Sequence, residues 1–268
     1  MTIPAHEAVL LRENLGGIAV ITLNRPAARN SLSVEMLEAT IEALAAIADD
    51  TAIRAVVIAA NGPAFCAGHD LKELTARRAD ADGGRAFFTA VWSLCSTMMQ
   101  AVIRLPQPAI ACVQGAASAA GCQLVATCDL AVASTAATFT TPGVNIGLFC
   151  SSPMVALSRN VARKHAMEML LTGDAIAADE ALRIGLVNRL APPGEERSEA
   201  IRLARHIASK SASAIRIGKA AFYAQLEMGL AAAHDYASRV MVENMLDPDA
   251  EEGIGAFIAK RKPNWKDR

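Results

Sequence analysis

Two stretches decide how this chain folds: Ala64-Phe65-Cys66-Ala67-Gly68-His69-Asp70-Leu71-Lys72-Glu73-Leu74 and Gln114-Gly115-Ala116-Ala117-Ser118-Ala119-Ala120-Gly121-Cys122-Gln123-Leu124. Each is a run of small residues that follows an apolar segment and leads into a helical pattern. The preceding segments, Ala55–Ala60 and Ala109–Val113, are short and wholly apolar, so they read as strands covered on both faces. A strand, a small-residue loop and then a helix present free backbone N–H groups and the positive end of a helix dipole. Two such junctions that converge would make a hole for a developing oxyanion.

Working outward, Val9–Arg12 and Ile18–Leu23 read as strands joined by a turn around Gly16-Gly17. A polar loop, Asn24–Asn30, follows. Ser33 is an N-cap for a helix running to about Asp49. Gly84–Arg104 has helical spacing, with Phe87, Phe88, Val91, Leu94, Cys95 and Met98 on one side, and Pro106 and Pro108 end it. Asp129–Ser134 is a third buried strand. Gly173 and Gly185 read as helix C-caps. After Pro192-Pro193-Gly194 the texture becomes almost wholly helical. The chain is therefore expected to be α/β, with a core over 1–194, a helical region over 195–268, and a site at the strand ends. The basic end Lys260-Arg261-Lys262 is either a solvated helix terminus or a contact for a phosphate-bearing ligand.

The chain has 268 residues, 53% hydrophobic and 20% charged, with a net charge of −1. That is ample material for a large core, and it offers no bulk charge for nucleic acid or an anionic membrane. Aromatics at 4% argue against base-stacking platforms. Six cysteines, at 66, 95, 112, 122, 128 and 150, form no CxxC pair and read as buried reduced thiols. The scattered histidines give no metal-binding spacing, so no metal is expected. The N-terminus lacks a basic segment followed by an apolar run, and no run approaches the ~20 residues of a membrane span. A cytosolic location is the resulting expectation. No GxGxxG follows a strand, and neither GxxxxGK[ST] nor GxSxG occurs.

The two loops, with Leu23-Asn24-Arg25-Pro26 and Asn30, Pro108–Gly115, Ala119–Asp129, Ala166–Gly173, Ala181–Leu186 and Phe257–Lys262, resemble the crotonase (enoyl-CoA hydratase/isomerase) superfamily over nearly the whole chain. The resemblance implies a spiral of repeated ββα units, a C-terminal helical oligomerisation region, and a homotrimer or dimer of trimers. It implies an acyl-CoA ligand, with coenzyme A entering as part of the substrate and no separate cofactor. The thioester carbonyl would accept from the backbone N–H groups of His69 and Ala120. Coenzyme A would meet Arg25, Ala27, Ala28 and Arg29 near the adenine, with Lys72 and Lys260 near the phosphates.

The chain departs from the family's hydratases at both catalytic glutamates. Their positions carry Gln123 and Gly143, and neither an amide nor a glycine takes a proton at neutral pH. The segments Gly68–Leu74, Ala119–Ala126 and Thr141–Cys150 are similar to the mitochondrial "enoyl-CoA hydratase domain-containing" subgroup, which shares these replacements. Efficient hydration is therefore doubted. Two readings stay open: weak hydratase, isomerase or other enolate chemistry using His69, Gln123 or Cys150, and a non-catalytic acyl-CoA binding or sensing protein. The His69 ring either enters the pocket or turns elsewhere. Asp70 reads as a helix cap. Gln123 either orients water or substrate or is satisfied by backbone. Cys150 reads as a packed thiol rather than a nucleophile, since no cation stands beside it. Restoring both glutamates is expected to restore measurable hydration, with the backbone angles of Gly143 as the obstacle.

Overall fold

A computed structural model describes residues 8–266, so the N-terminal segment read for a targeting signal lies outside the described residues. The hairpin forms as β1 (Leu10–Asn14) and β2 (Ile18–Leu23). A short 3-10 turn over Pro26–Ala28 leads to α1 (Val34–Ala48), where the Ser33 hydroxyl accepts from the Met36 N–H as an N-cap should. Next come β3 (Ala55–Ala60), β4 (Ala64–Cys66), α2 (Leu71–Ala76) and α3 (Arg85–Arg104). The pattern repeats with β5 (Ala109–Val113), β6 (Ala116–Ser118) and α4 (Ala120–Thr127). It repeats again with β7 (Leu130–Ser134), β8 (Thr138–Thr140), α5 (Ser151–Asn160) and α6 (Arg163–Thr172). After β9 (Ile176–Ala177), α7 (Ala178–Arg183) and β10 (Arg189–Ala191), the chain is helical: α8 (Glu196–Ala208), α9 (Ala212–Gln225), α10 (Leu230–Met245) and α11 (Pro248–Ile258).

The repeat has a simple consequence. The first strand of each unit joins a six-stranded sheet of order β1-β2-β3-β5-β7-β10, and the second joins a four-stranded sheet of order β4-β6-β8-β9. Within the first sheet β2, β3, β5, β7 and β10 run parallel, with β1 antiparallel at the edge. Within the second, β4, β6 and β8 run parallel and β9 closes it antiparallel. Each ββα turn thus advances both sheets by one strand, which is the expected spiral.

The wholly apolar strands are covered on both faces. Ala19, Ile21, Val56, Ile58 and Ala111 face the main core with α1 and α3. Ile18, Val20, Val57, Ile110 and Val132 face α8 through Ala200, Leu203 and Ala204. The first helix beyond residue 194 is therefore a covering layer of the large sheet. Among the described helices α3 alone has the length and mean hydropathy, 1.5, of a membrane span. It packs against α1 and α4 with Val91, Cys95, Met98, Met99 and Val102 buried, the stripe of an amphipathic helix on a core. All six cysteines are buried and unpaired. Burial pushes the Cys66, Cys112 and Cys122 thiols up to about 12.

Candidate functional site

Because β4, β6 and β8 are adjacent and parallel, their carboxyl ends emerge side by side. Cys66 aligns with Ala117, and Ser118 with Thr140. The three following loops carry His69, Ala120 and Gly143 to one edge of the small sheet. Backbone packing there leaves no room for side chains. A Cβ on Gly68, where φ is +92°, would lie 2.9 Å from the Ala119 Cβ and 3.5 Å from the Ala120 nitrogen. A Cβ on Gly121 would lie 2.1 Å from the Cys66 carbonyl oxygen. Only glycine permits either approach.

The donors follow from this geometry. Leu32 pairs with the His69 position through Leu32 N–H to the Gly68 oxygen (2.8 Å) and Asp70 N–H to the Leu32 oxygen (3.2 Å). In that parallel bridge the N–H of His69 itself points away from Leu32. Ala120 is the first residue of α4, so its N–H has no intrahelical acceptor. Ala119 holds φ 48°, ψ −115°, a conformation that L-residues avoid, and its N–H donates to the Thr140 oxygen at 2.9 Å. Strain of about 1–3 kcal/mol is stored at the residue that aims the Ala120 N–H.

These groups line a pocket of about 430 Å³. Its walls include His69, Trp92, Ala120, Gln123, Gly143 and Cys150, and its rim is apolar through Leu71, Ile146, Leu148 and Phe149. The His69 imidazole does enter the pocket, stacked on the Trp92 indole with ring centroids 4.9 Å apart and planes 22° apart. Its Nδ1 is buried with no hydrogen-bond partner. Desolvation lowers the His69 pKa, partly opposed by the Leu32 backbone. Gln123 is buried, and its Oε1 has no partner either, so the backbone does not satisfy that oxygen. Gly143 N–H donates to Cys150 Sγ at 3.3 Å, and burial raises the Cys150 thiol, which stays neutral at pH 7.

The cap reading of Asp70 is what the structure shows: its carboxylate accepts from the Lys72 and Glu73 N–H groups and pairs with Arg25 at 3.1 Å. The Arg25 guanidinium also donates to the Ser31 carbonyl, so it braces the first loop. Ala27 and Ala28 sit in the 3-10 turn, and Arg29 follows in a left-handed conformation at φ 50°. Lys72 is exposed at the start of α2. Lys260 follows α11, which packs on α9 and α10, and it does not line the pocket within one chain. Trp92 is the wall residue that the sequence reading missed. It lies off the buried stripe of α3, and only its rarity, one of two tryptophans, could have flagged it.

Residues 13–268 match the family model described as "Enoyl-CoA hydratase/isomerase". The chain belongs to the enoyl-CoA hydratase/isomerase family. It is 48% identical over 249 residues to "Enoyl-CoA hydratase domain-containing protein 3, mitochondrial" of Rattus norvegicus, covering 93% of this chain and 81% of that one. A "Probable enoyl-CoA hydratase" of Rhizobium meliloti is 36% identical over 260 residues, covering 97% and 98%. Among solved structures, human enoyl Coenzyme A hydratase domain-containing protein 3 superposes with a TM-score of 0.91 at 47% identity, covering 96% of this chain and 100% of that one. An enoyl-CoA hydratase of Mycobacterium smegmatis does so with a TM-score of 0.92 at 48% identity, covering 97% and 99%. The crotonase fold is thereby shown. One expectation is corrected: several vertebrate relatives at 43–48% identity are named mitochondrial, which overturns the cytosolic assignment.

Proposed function

We propose that this pocket binds an acyl-CoA thioester, with the carbonyl oxygen held between the His69 and Ala120 N–H groups, and that it hydrates enoyl-CoA poorly. One observation carries the reading: the close approach of Gly68 to Ala119 and Ala120 beside an apolar pocket, which supports a pair of backbone donors there. Donors of this kind stabilise a developing enolate oxygen, each by about 3–4 kcal/mol in a water-excluded site. Poor hydration follows from Gln123 and Gly143, since each lost acid–base group costs about 10²–10⁴ in rate. Crotonyl-CoA hydration is expected below roughly a thousandth of that of a competent hydratase on the same magnitudes.

Coenzyme A then runs out past the 3-10 turn at Ala27 and Ala28, with Arg29 by the adenine, Lys72 near the phosphates and Lys260 supplied from a neighbouring subunit. The C-terminal helices support an oligomer: Leu230, Leu246, Phe257 and Ile258 are 75–84% exposed, an apolar surface that monomers rarely keep. A homotrimer or dimer of trimers would cover it. A strictly monomeric mass in light scattering would remove that part of the proposal.

The test of ligand class is titration calorimetry with acyl-CoAs of increasing chain length. Binding at micromolar concentrations is expected, and no heat at millimolar ligand defeats the reading. A non-catalytic binding or sensing role is the second reading. It is favoured by the crowding of Gly143, where Leu148 and Cys150 fill the space that a second glutamate would need.

A further inference from the structure

The unused group in this pocket is the His69 side chain. Other titratable groups nearby are engaged or neutral. Asp70 is turned to Arg25 and caps α2. From α3 the facing residue is Trp92, from α4 it is Gln123, and from the third loop it is Cys150, a thiol held protonated by burial. The imidazole is stacked on an indole, walled by apolar side chains, and belongs to the residue whose own N–H serves the oxyanion hole.

Resting on the acyl-CoA reading, we infer that the imidazole of His69 is the base of this site and takes a proton from the acyl Cα while its backbone N–H helps hold the enolate oxygen. Nδ1 is buried and sealed off, which leaves Nε2 as the nitrogen that meets the substrate. As the proton passes to Nε2, the Cα–H pair forms a double bond to the carbonyl carbon and the carbonyl π pair moves onto the oxygen. The imidazolium then returns the proton to Cα, or to C4 when the acyl chain carries a 3,4 double bond, giving the 2-enoyl isomer. Atoms and charge balance without a co-reactant or an activated water. A neutral ring is the form required, and desolvation with no carboxylate partner favours it. Trp92 fixes the ring plane by stacking. The chemistry thus shifts from paired carboxylates, which need room at 123 and 143, to one imidazole at 69.

The experiment follows deuterium uptake and double-bond migration in 3-hexenoyl-CoA in D₂O, by NMR, for the wild-type protein and His69→Gln. Glutamine preserves the backbone donor and much of the side-chain volume. Expected is a loss of about 10²–10⁴ in exchange rate, with calorimetric affinity for the same ligand unchanged. The wild-type rate should rise with pH through a midpoint below the ordinary histidine value of about 6.5. Equal exchange by His69→Gln overturns the inference. So does a wild-type rate that rises only through a midpoint above about 6.5, a result that stands even if the variant fails to fold. Binding without exchange in the wild type also overturns it and favours the non-catalytic reading. Absence of binding defeats the acyl-CoA reading itself and takes this inference with it.

Discussion

Gly143→Ala is the smallest change that tests how much room position 143 leaves for a side chain. Gly143 does not hold a positive φ, so its backbone is open to any L-residue and conformation is not the obstacle. The obstacle is space. A Cβ there would lie 2.8 Å from the Leu148 carbonyl oxygen, 2.9 Å from Cys150 Sγ and 3.3 Å from the Cys150 nitrogen. Ordinary carbon–oxygen contacts start at about 3.3 Å, so the Leu148–Cys150 backbone must retreat by about half an ångström. Overpacking of this kind costs about 1–3 kcal/mol. For a domain of this size each kcal/mol moves the midpoint by about 2–4 °C, so scanning calorimetry should record a drop of roughly 2–12 °C. Adding Cys150→Ala should recover part of it, because the Leu148 contact is backbone and remains. The Gln123→Glu/Gly143→Glu double variant should accordingly fail to hydrate crotonyl-CoA: its new carboxylate has nowhere to sit. The same crowding counts against the expectation that restoring both glutamates restores the chemistry. A Gly143→Ala protein that melts with the wild type, or a double variant with hydratase-level turnover, would refute the reasoning.

Two further substitutions probe the supports of the site. Burial alone would raise the Asp70 carboxyl, but the Arg25 guanidinium and the Glu73 and Lys72 N–H groups outweigh it and hold the pKa below the usual range. Its stabilising effect is therefore present above the unfolded value of about 3.9 and lost as pH falls through the lower folded value. Asp70→Ala should cost about 1 kcal/mol in urea denaturation at pH 7 and progressively less below pH ~4; a penalty that persists in acid would contradict the pairing. Lys219 is buried and donates to Asp129 (2.7 Å) and to the Val102 and Gln107 carbonyls, and Tyr223 donates to the same carboxylate. Lys219→Met leaves Asp129 short of its cation and should destabilise by about 3–5 kcal/mol. A loss below about 1 kcal/mol, the range of an exposed pair, would show that the cluster is solvent-relaxed.

The spiral was legible because its signals are local. Fully apolar strands, Ser33 before a helix, and Gly173 and Gly185 after helices each have one physical meaning, and the structure reads them the same way. The convergence of the two loops was legible for the same reason: small residues at 68 and 121 matter only where backbones touch. The side-chain chemistry was not. Whether the His69 ring enters the pocket depends on Trp92, on the long helix α3 later in the same unit, and no spacing in the chain pairs those two residues. The crowding at Gly143 was equally hidden. A glycine read alone suggests unusual backbone angles, whereas here the constraint comes from where Leu148 and Cys150 return after the 3-10 turn over Pro142–Ile146.

These observations separate two layers of the site. The proposed oxyanion layer is made of backbone and would follow from strand order: parallel neighbours β4 and β6 end side by side, which brings Gly68 against Ala119 and Ala120. It is costly to keep, since Ala119 carries a disfavoured conformation and Gly121 tolerates no Cβ. The proposed proton-transfer layer would be made of whatever stands at 69, 123 and 143, and could change without disturbing the first. On the acyl-CoA reading, an oxyanion layer alone would lower the energy of an enolate that nothing forms. The His69 imidazole, stacked in the same pocket, would supply that step under the inference above, and the unpartnered Gln123 oxygen would offer the acyl group a polar contact. On the proposed acyl-CoA reading, the pocket would then be equipped for proton movement at the α carbon rather than for the addition of water.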